Sequence, residues 1–220
     1  MDSKRDKINL FDDKRTSARE LVKLSDRERL LELLQNKALE VRKVTLSSGR
    51  ISDYYIDCKR VTLSPEGAYL TAKLMLGMIG SDIAAVGGLT LGADPIVSSI
   101  SVVSHIQRRD LPALIVRKEP KKHGTMSFIE GPFLDKGAKV AVVDDVVTSG
   151  ASLLRSMERL AAEGYQPVQA LAILDRLEGG REVASPLFQL SLSAFAGPAK
   201  SCGGVRRLIA ARLAPPVSRR

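Results

Sequence analysis

The chain is poor in the residues that staple, span or export a protein. Only two cysteines, Cys58 and Cys202, occur in 220 residues, too few for a disulfide framework and wrongly spaced for a metal site. They read as reduced thiols of a cytoplasmic protein. No apolar run approaches the roughly 18 residues of a membrane span, so no membrane partner is expected. The opening stretch MDSKRDKINLFDDKR lacks the apolar centre of a signal peptide, and secretion is not expected either. What remains is ordinary for a globular chain, with 44% hydrophobic and 27% charged residues, and the length supports one substantial core.

The net charge of +9 raises the question of nucleic acid, and its distribution answers it. Residues 197–220 carry +6, from Lys200, Arg206, Arg207, Arg212, Arg219 and Arg220 without an acid. Residues 117–123 carry +3, from Arg117, Lys118, Lys121 and Lys122 against Glu119. These two segments account for the whole excess. A nucleic-acid binder spreads its cations along a face of the fold; here one cluster is a tail and the other a short loop, so no nucleic-acid partner is expected.

Periodicity divides the chain. Leu21, Leu24, Leu30, Leu31, Leu34 and Ala38 fall at helical spacing, and Ser25 with Glu28 forms a capping-box pattern. Two short strands are expected at Val41–Leu46 and Ile51–Asp57, around a turn at Ser47-Ser48-Gly49-Arg50. Ser64-Pro65-Glu66 opens a helix running to about Gly80. Strand and helix then alternate: strand Ile83–Val86, helix Ala93–His105, strand Ala113–Val116, an aperiodic loop over 117–132, strand Lys139–Val143, helix Ser152–Glu163 closed by Gly164, and strand Val168–Leu174. Such alternation specifies an α/β fold whose mainly parallel sheet is covered by helices on both faces. Ligands of these sheets bind at the carboxyl ends of the strands, which directs attention to the residues after Val86, Val116, Val143 and Leu174.

The strongest motif is Val140-Ala141-Val142-Val143-Asp144-Asp145-Val146-Val147-Thr148-Ser149-Gly150-Ala151-Ser152. An apolar strand ends in two acids, and a turn of small residues opens a helix. Backbone N–H groups there, with the hydroxyls of Thr148, Ser149 and Ser152, form a phosphate cradle at the positive helix end. The acids repel phosphate, so they suit sugar hydroxyls or a water-bridged Mg²⁺. Together these describe a receptor for a phosphorylated sugar. The competing view, an ordinary strand-to-helix turn with exposed acids, leaves that convergence unexplained.

This segment resembles the signature of the type I phosphoribosyltransferases, which bind 5-phosphoribosyl 1-diphosphate (PRPP). The resemblance implies that family's fold with a small N-terminal hood. It implies hood elements in residues 1–60 and a core in 61–195 that binds PRPP; by composition, 196–220 reads as a basic tail. Arg117-Lys118-Glu119-Pro120-Lys121-Lys122-His123-Gly124 resembles the catalytic loop of the orotate phosphoribosyltransferases. Arg117, Lys121 and His123 are then expected to act on the diphosphate of a partner subunit in a homodimer, and Lys118 within its own; the competing view is a solvated charged loop. Arg176, just after the strand ending at Leu174, offers a fork suited to the carboxylate of orotate, unless it merely pairs with Glu178 or Asp175. Tyr54 and Tyr55 match the family's aromatic pair over the base, or else pack as strand tyrosines. Gly88-Leu89-Thr90-Leu91 resembles the diphosphate loop, where glycine allows close backbone approach.

The resemblance implies catalytic roles for Lys118, Lys121, His123 and Asp145. It places PRPP on Arg117, Lys118, Lys121, His123, Asp144, Asp145 and residues 146–152, that is Val146, Val147, Thr148, Ser149, Gly150, Ala151 and Ser152. It places orotate on Tyr54, Tyr55, Thr148 and Arg176. Mg²⁺ is the implied cofactor, reached through PRPP and water near Asp144 and Asp145 with no direct protein ligand. Two departures stand out: Ser47 where some relatives have lysine, and a C-terminus after Ala194 that follows no pattern of the family. His105 reads as a packed or surface residue. A purine phosphoribosyltransferase and a nucleic-acid-binding regulator that senses PRPP are the competing functions. Arg176 and the basic loop count against the first, and the absence of a helix-turn-helix segment before residue 41 against the second.

Overall fold

The computed structural model describes residues 24–45, 51–120, 127–184 and 188–194. The capping box at Ser25 forms: its hydroxyl accepts from the Glu28 N–H and the Glu28 carboxylate accepts from the Ser25 N–H. It opens α1 (Asp26–Leu33), which continues as a π-helical turn over Leu34–Ala38. The two expected hood strands are instead four short ones: β1 (Leu39–Glu40), β2 (Val44–Thr45), β3 (Ile51–Ser52) and β4 (Tyr55–Ile56). β1 pairs with β4 and β2 with β3, both antiparallel. A pattern of alternating apolar residues could not show that each strand breaks in the middle and changes partner. The expected turn 47–50 lies outside the described residues. A one-turn helix α2 (Lys59–Thr62) leads to α3 (Pro65–Leu76), capped by the Ser64 hydroxyl accepting from the Gly67 N–H.

The remaining elements are β5 (Ala85–Leu89), α4 (Asp94–Ile106), β6 (Ala113–Val116), β7 (Ile129–Glu130), β8 (Lys139–Val147), α5 (Ala151–Ala162), β9 (Gln166–Asp175), α6 (Gly180–Ala184) and β10 (Phe188–Ala194). Their order in one sheet is β10-β9-β8-β5-β6-β7; every pairing is parallel except β6 with β7. Three expectations need correction. The aperiodic stretch 117–132 contains β7, which pairs Ile129 with Val116 and Glu130 with Ile115; two residues are too few to show a period. β5 runs on through Gly87, Gly88 and Leu89. β8 runs through both aspartates to Val147, because β9 keeps pairing with it as far as Asp175.

The sheet is buried on both faces, and alternate residues take opposite sides. Ala141, Val143, Leu171 and Ile173 pack with α1, α3 and α4, whereas Val140, Val142, Ala170 and Ala172 pack with Leu153 and Leu160 of α5. Each fully buried Leu or Ile of these layers contributes about 1.5–3 kcal/mol through burial. α4 and α5 therefore cover opposite faces. The chain moves outward in one direction from β5 to β6 and in the other from β8 to β9, so the β5–β8 boundary is the topological switch point, where ligand crevices open in such sheets. β5 stops pairing with β8 at Gly87–Val142, and beyond that register the two strand ends diverge.

Candidate active site

The switch point brings together the loop after β5 and the turn after β8. Asp144 is 7% exposed, and its Oδ1 accepts from the Asp145 N–H at 2.9 Å. Burial, and then repulsion from Asp145, push the Asp144 carboxyl well above the ordinary carboxylate range. Asp145 accepts from the Val146 N–H at 2.8 Å. Its carboxylate lies against Gly92, where a Cβ would come within 2.5 Å of Oδ1. Glycine at 92 thus makes room for the carboxylate between β8 and the β5–α4 connection.

After Val147 the chain turns through Thr148 and Ser149 to Gly150, which adopts φ +79 and heads α5. That left-handed conformation favours glycine. Among the described residues no side chain caps α5, which leaves its first N–H groups suited to an anion at the helix end. Gly180, the first residue of α6, forms a second wall. A Cβ there would sit 2.7 Å from Gly150 N and 2.7 Å from Thr148 O. Within the β5–α4 loop, the Thr90 N–H donates to Val116 O at 2.8 Å and its hydroxyl to Asp94 at 2.7 Å; the Thr90–Leu91 peptide is cis. Gly88 is closely packed, since a Cβ would meet Ala93 Cβ at 2.4 Å and Val143 O at 2.5 Å. Gly88 and Leu89 are buried in β5, whereas Leu91 is exposed.

The other end of the site is built on Arg176. Its backbone N–H donates to Val147 O at 2.9 Å, tying the end of β9 to the turn that opens α5. Leu177 follows at φ +55 and turns the chain away. The Arg176 guanidinium is held on three sides: Nε donates to Glu178 at 2.9 Å, one terminal nitrogen to the Ser52 hydroxyl at 3.2 Å, and the Tyr54 ring lies 4.6 Å below. Both Arg176 and Tyr54 are buried, and burial raises the Tyr54 phenol. A guanidinium carries more N–H donors than the bonds to Glu178 and Ser52 use, and such a fork suits a carboxylate.

Tyr55 goes elsewhere. It lies opposite Glu40 in the β1–β4 ladder and under the Arg42 guanidinium at 5.2 Å. The structure brings Tyr54, and not Tyr55, to Arg176. Arg117 bonds Glu130 of β7 at 2.9 Å within its own chain, and Lys118 is exposed. Lys121 and His123 lie outside the described residues, as do Ser47 and the tail 196–220. His105 is exposed and bonds Asp110 at 2.8 Å, away from the site.

Reading the sequence alone named Glu178 only as a competing partner of Arg176, and missed Ser52, Gly180 and Lys59 beside these residues. Lys59 bonds Asp57 at 2.7 Å. Burial opposes its charge, but the Asp57 bond and the field of Asp145 outweigh it and raise its pKa. Only Glu178 had a local signal, its spacing of two from Arg176. Ser52 reaches Arg176 across 124 positions, which no local pattern reports.

The comparisons agree with this geometry. Residues 87–197 match the phosphoribosyl transferase domain. An orotate phosphoribosyltransferase of Nostoc sp. is 50% identical over 156 residues, covering 71% of this chain and 76% of the relative. That of Thermosynechococcus vestitus is 53% identical over 154 residues, covering 70% and 82%. Among solved structures, Mycobacterium tuberculosis orotate phosphoribosyltransferase in complex with Fe(III) dicitrate superposes with TM-score 0.67 at 34% identity, covering 82% of this chain and 99% of that one. The same enzyme in complex with PRPP gives 0.62 at 33% identity, covering 79% and 96%. With this fold, this switch-point cleft and relatives at half identity over most of their length, the chain belongs to the orotate phosphoribosyltransferase family of pentosyltransferases.

Proposed function

We propose that the protein transfers the phosphoribosyl group of PRPP to N1 of orotate, giving orotidine 5′-monophosphate and diphosphate in pyrimidine biosynthesis. The observation that carries this reading is the buried Arg176 fork, flanked by Tyr54 and tied by its own backbone to the phosphate cradle. Orotate bears a carboxylate for that fork; adenine, guanine and uracil do not. The 5′-phosphate sits on the uncapped start of α5 with Thr148, Ser149 and Ser152. The ribose hydroxyls lie on Asp144 and Asp145, and the diphosphate lies beside Gly88–Leu91.

In the reaction, N1 of orotate gives up its proton to solvent and bonds to C1 of the ribose as the bond from C1 to the diphosphate oxygen breaks. Positive charge grows on the sugar ring and negative charge on the leaving group. The chain's residues orient both reactants and meet these charges as they develop. Asp145 faces the cationic ring. Lys118 of the same subunit, with Arg117, Lys121 and His123 of a partner in a homodimer, faces the diphosphate; His123 or Lys121 gives it a proton late. Excluding water from the closed site protects the activated sugar. Asp144 and Asp145 would hold an Mg²⁺ ion through water, an arrangement usual for this ion. When bound, Mg²⁺ neutralises charge on the leaving group. The substrates are small and diffusible, consistent with a cytoplasmic enzyme.

The test is loss of orotate absorbance with PRPP and Mg²⁺, with diphosphate release measured in parallel. One diphosphate per orotate consumed, abolished by EDTA, is expected. PRPP binding without turnover of any base would defeat the reading.

A further inference from the structure

The segment Arg117–Pro120 leaves the sheet from β6 and the chain returns at Ser127–Phe128 into β7. Helix α5, whose first turn is the phosphate cradle, also grips this stem. The Arg159 guanidinium donates to the carbonyl of Arg117 and, at 2.8 Å, to that of Lys118. The same guanidinium lies 4.1 Å from the centre of the Phe128 ring. One side chain therefore holds both arms of the stem, whose closing bond is the Arg117 N–H donating to Phe128 O at 2.8 Å. One helical turn on, Glu163 accepts from the Ser127 hydroxyl at 2.7 Å. Two carbonyls and a ring, gripped by a planar fork with several donors, form a contact that lysine reproduces only in part. Arg159 bonds the backbone carbonyls of Arg117 and Lys118, residues whose side chains are assigned to the diphosphate.

We propose that Arg159 is a positioning residue for transfer: it fixes the backbone of Arg117 and Lys118 relative to the helix that seats the 5′-phosphate. The inference rests on the orotate reading above for its kinetic consequence, and on geometry alone for the clamp. A cation meeting charge that appears only in the transition state must be placed before the bond breaks, and a displacement of about 1 Å can cost about 10²-fold in rate. Loss of the clamp therefore falls on kcat rather than on ground-state binding.

The experiment compares wild type, Arg159→Lys and Arg159→Met as full chains. It measures kcat and KM per folded enzyme, and amide hydrogen exchange at Arg117, Lys118 and Phe128 without ligand. Arg159→Met is expected to lower kcat by about 30-fold with both KM values within about 2-fold, and to speed exchange at the three amides. Arg159→Lys should recover part of both effects. An unchanged kcat per folded Arg159→Met enzyme would overturn the proposal, because a merely structural role would show only in the folded fraction. If wild type itself fails to convert orotate, the functional reading falls. The clamp is then judged on exchange alone, and unchanged exchange in Arg159→Met overturns it.

Discussion

The two ends of the proposed site, one proposed for the phosphate and one for the base, are assembled in different ways. The phosphate end is nearly contiguous: Asp144 to Ser152 form one strand end, one turn and one helix start, joined from outside by Gly92 and Gly180. The base end is assembled from afar: Ser52 and Tyr54 come from the hood, and Arg176 and Glu178 from the end of β9. A local sequence can specify a phosphate cradle because a helix end and a glycine turn supply most of what an anion needs. Base selection needs side chains converging from separate elements, and only the fold can bring them together. The two ends are also expected to fail separately.

The largest effect should come from Arg176→Ala, which removes the fork while keeping the backbone bond to Val147. Orotate kcat/KM should fall by about 10³-fold, with PRPP affinity in a direct titration within about 2-fold. An equal collapse of PRPP binding would show that the ends are not separable.

Gly180→Ala attacks the other end. Its Cβ would meet Val147 Cγ1 at 2.5 Å as well as the backbone of Gly150 and Thr148, atoms that cannot move cheaply. PRPP affinity should weaken by about 10²-fold, while the ratio of orotate to uracil kcat/KM stays constant. A changed ratio would place Gly180 in base selection.

Glu178→Gln keeps the shape but removes the charge that holds Arg176 Nε. A hydrogen bond between charged groups of this kind is worth about 1.5–3 kcal/mol, so orotate kcat/KM should fall about 10-fold. A loss as large as that of Arg176→Ala would mean that Glu178 does more than orient the fork.

The smallest effect concerns stability without ligand. Burial and Asp145 hold the folded Asp144 carboxyl above its ordinary value of 3.8. Between those two values the folded state binds more protons than the unfolded chain, so stability falls as pH rises through that window and stays lower above it. Asp144→Asn should raise the Tm at neutral pH and flatten this part of the pH profile, read by thermal melts from pH 4 to 8. An unchanged or lowered Tm would show that the buried carboxylate is compensated.

How far the sequence carries the structure follows from the same contrast. The capping box at Ser25, the Ser64 start of α3, strand Ala113–Val116 and the Gly164 stop at φ +90 are all local effects, and each was legible. The strand-helix alternation gave the doubly covered sheet, because burial on both faces leaves continuous apolar runs. β5 and β8 ran longer than expected, since Gly87-Gly88 and Asp144-Asp145 read as strand ends by composition. Ladder pairing with β6 and β9 keeps them extended. The hood divides into two-residue strands too short for any period to register. Tyr54 and Tyr55 are adjacent and chemically alike, so only the direction of each ring separates them: Tyr54 under Arg176 and Tyr55 under Arg42.

The central claim is that a buried arginine at the end of β9 makes this enzyme choose a base bearing a carboxylate. The most direct measurement is the wild-type ratio of kcat/KM for orotate to that for uracil, with adenine and guanine alongside, at fixed PRPP and Mg²⁺. The account predicts a ratio above about 10³ and no detectable purine turnover. Comparable rates with uracil, or preference for a purine, would contradict it.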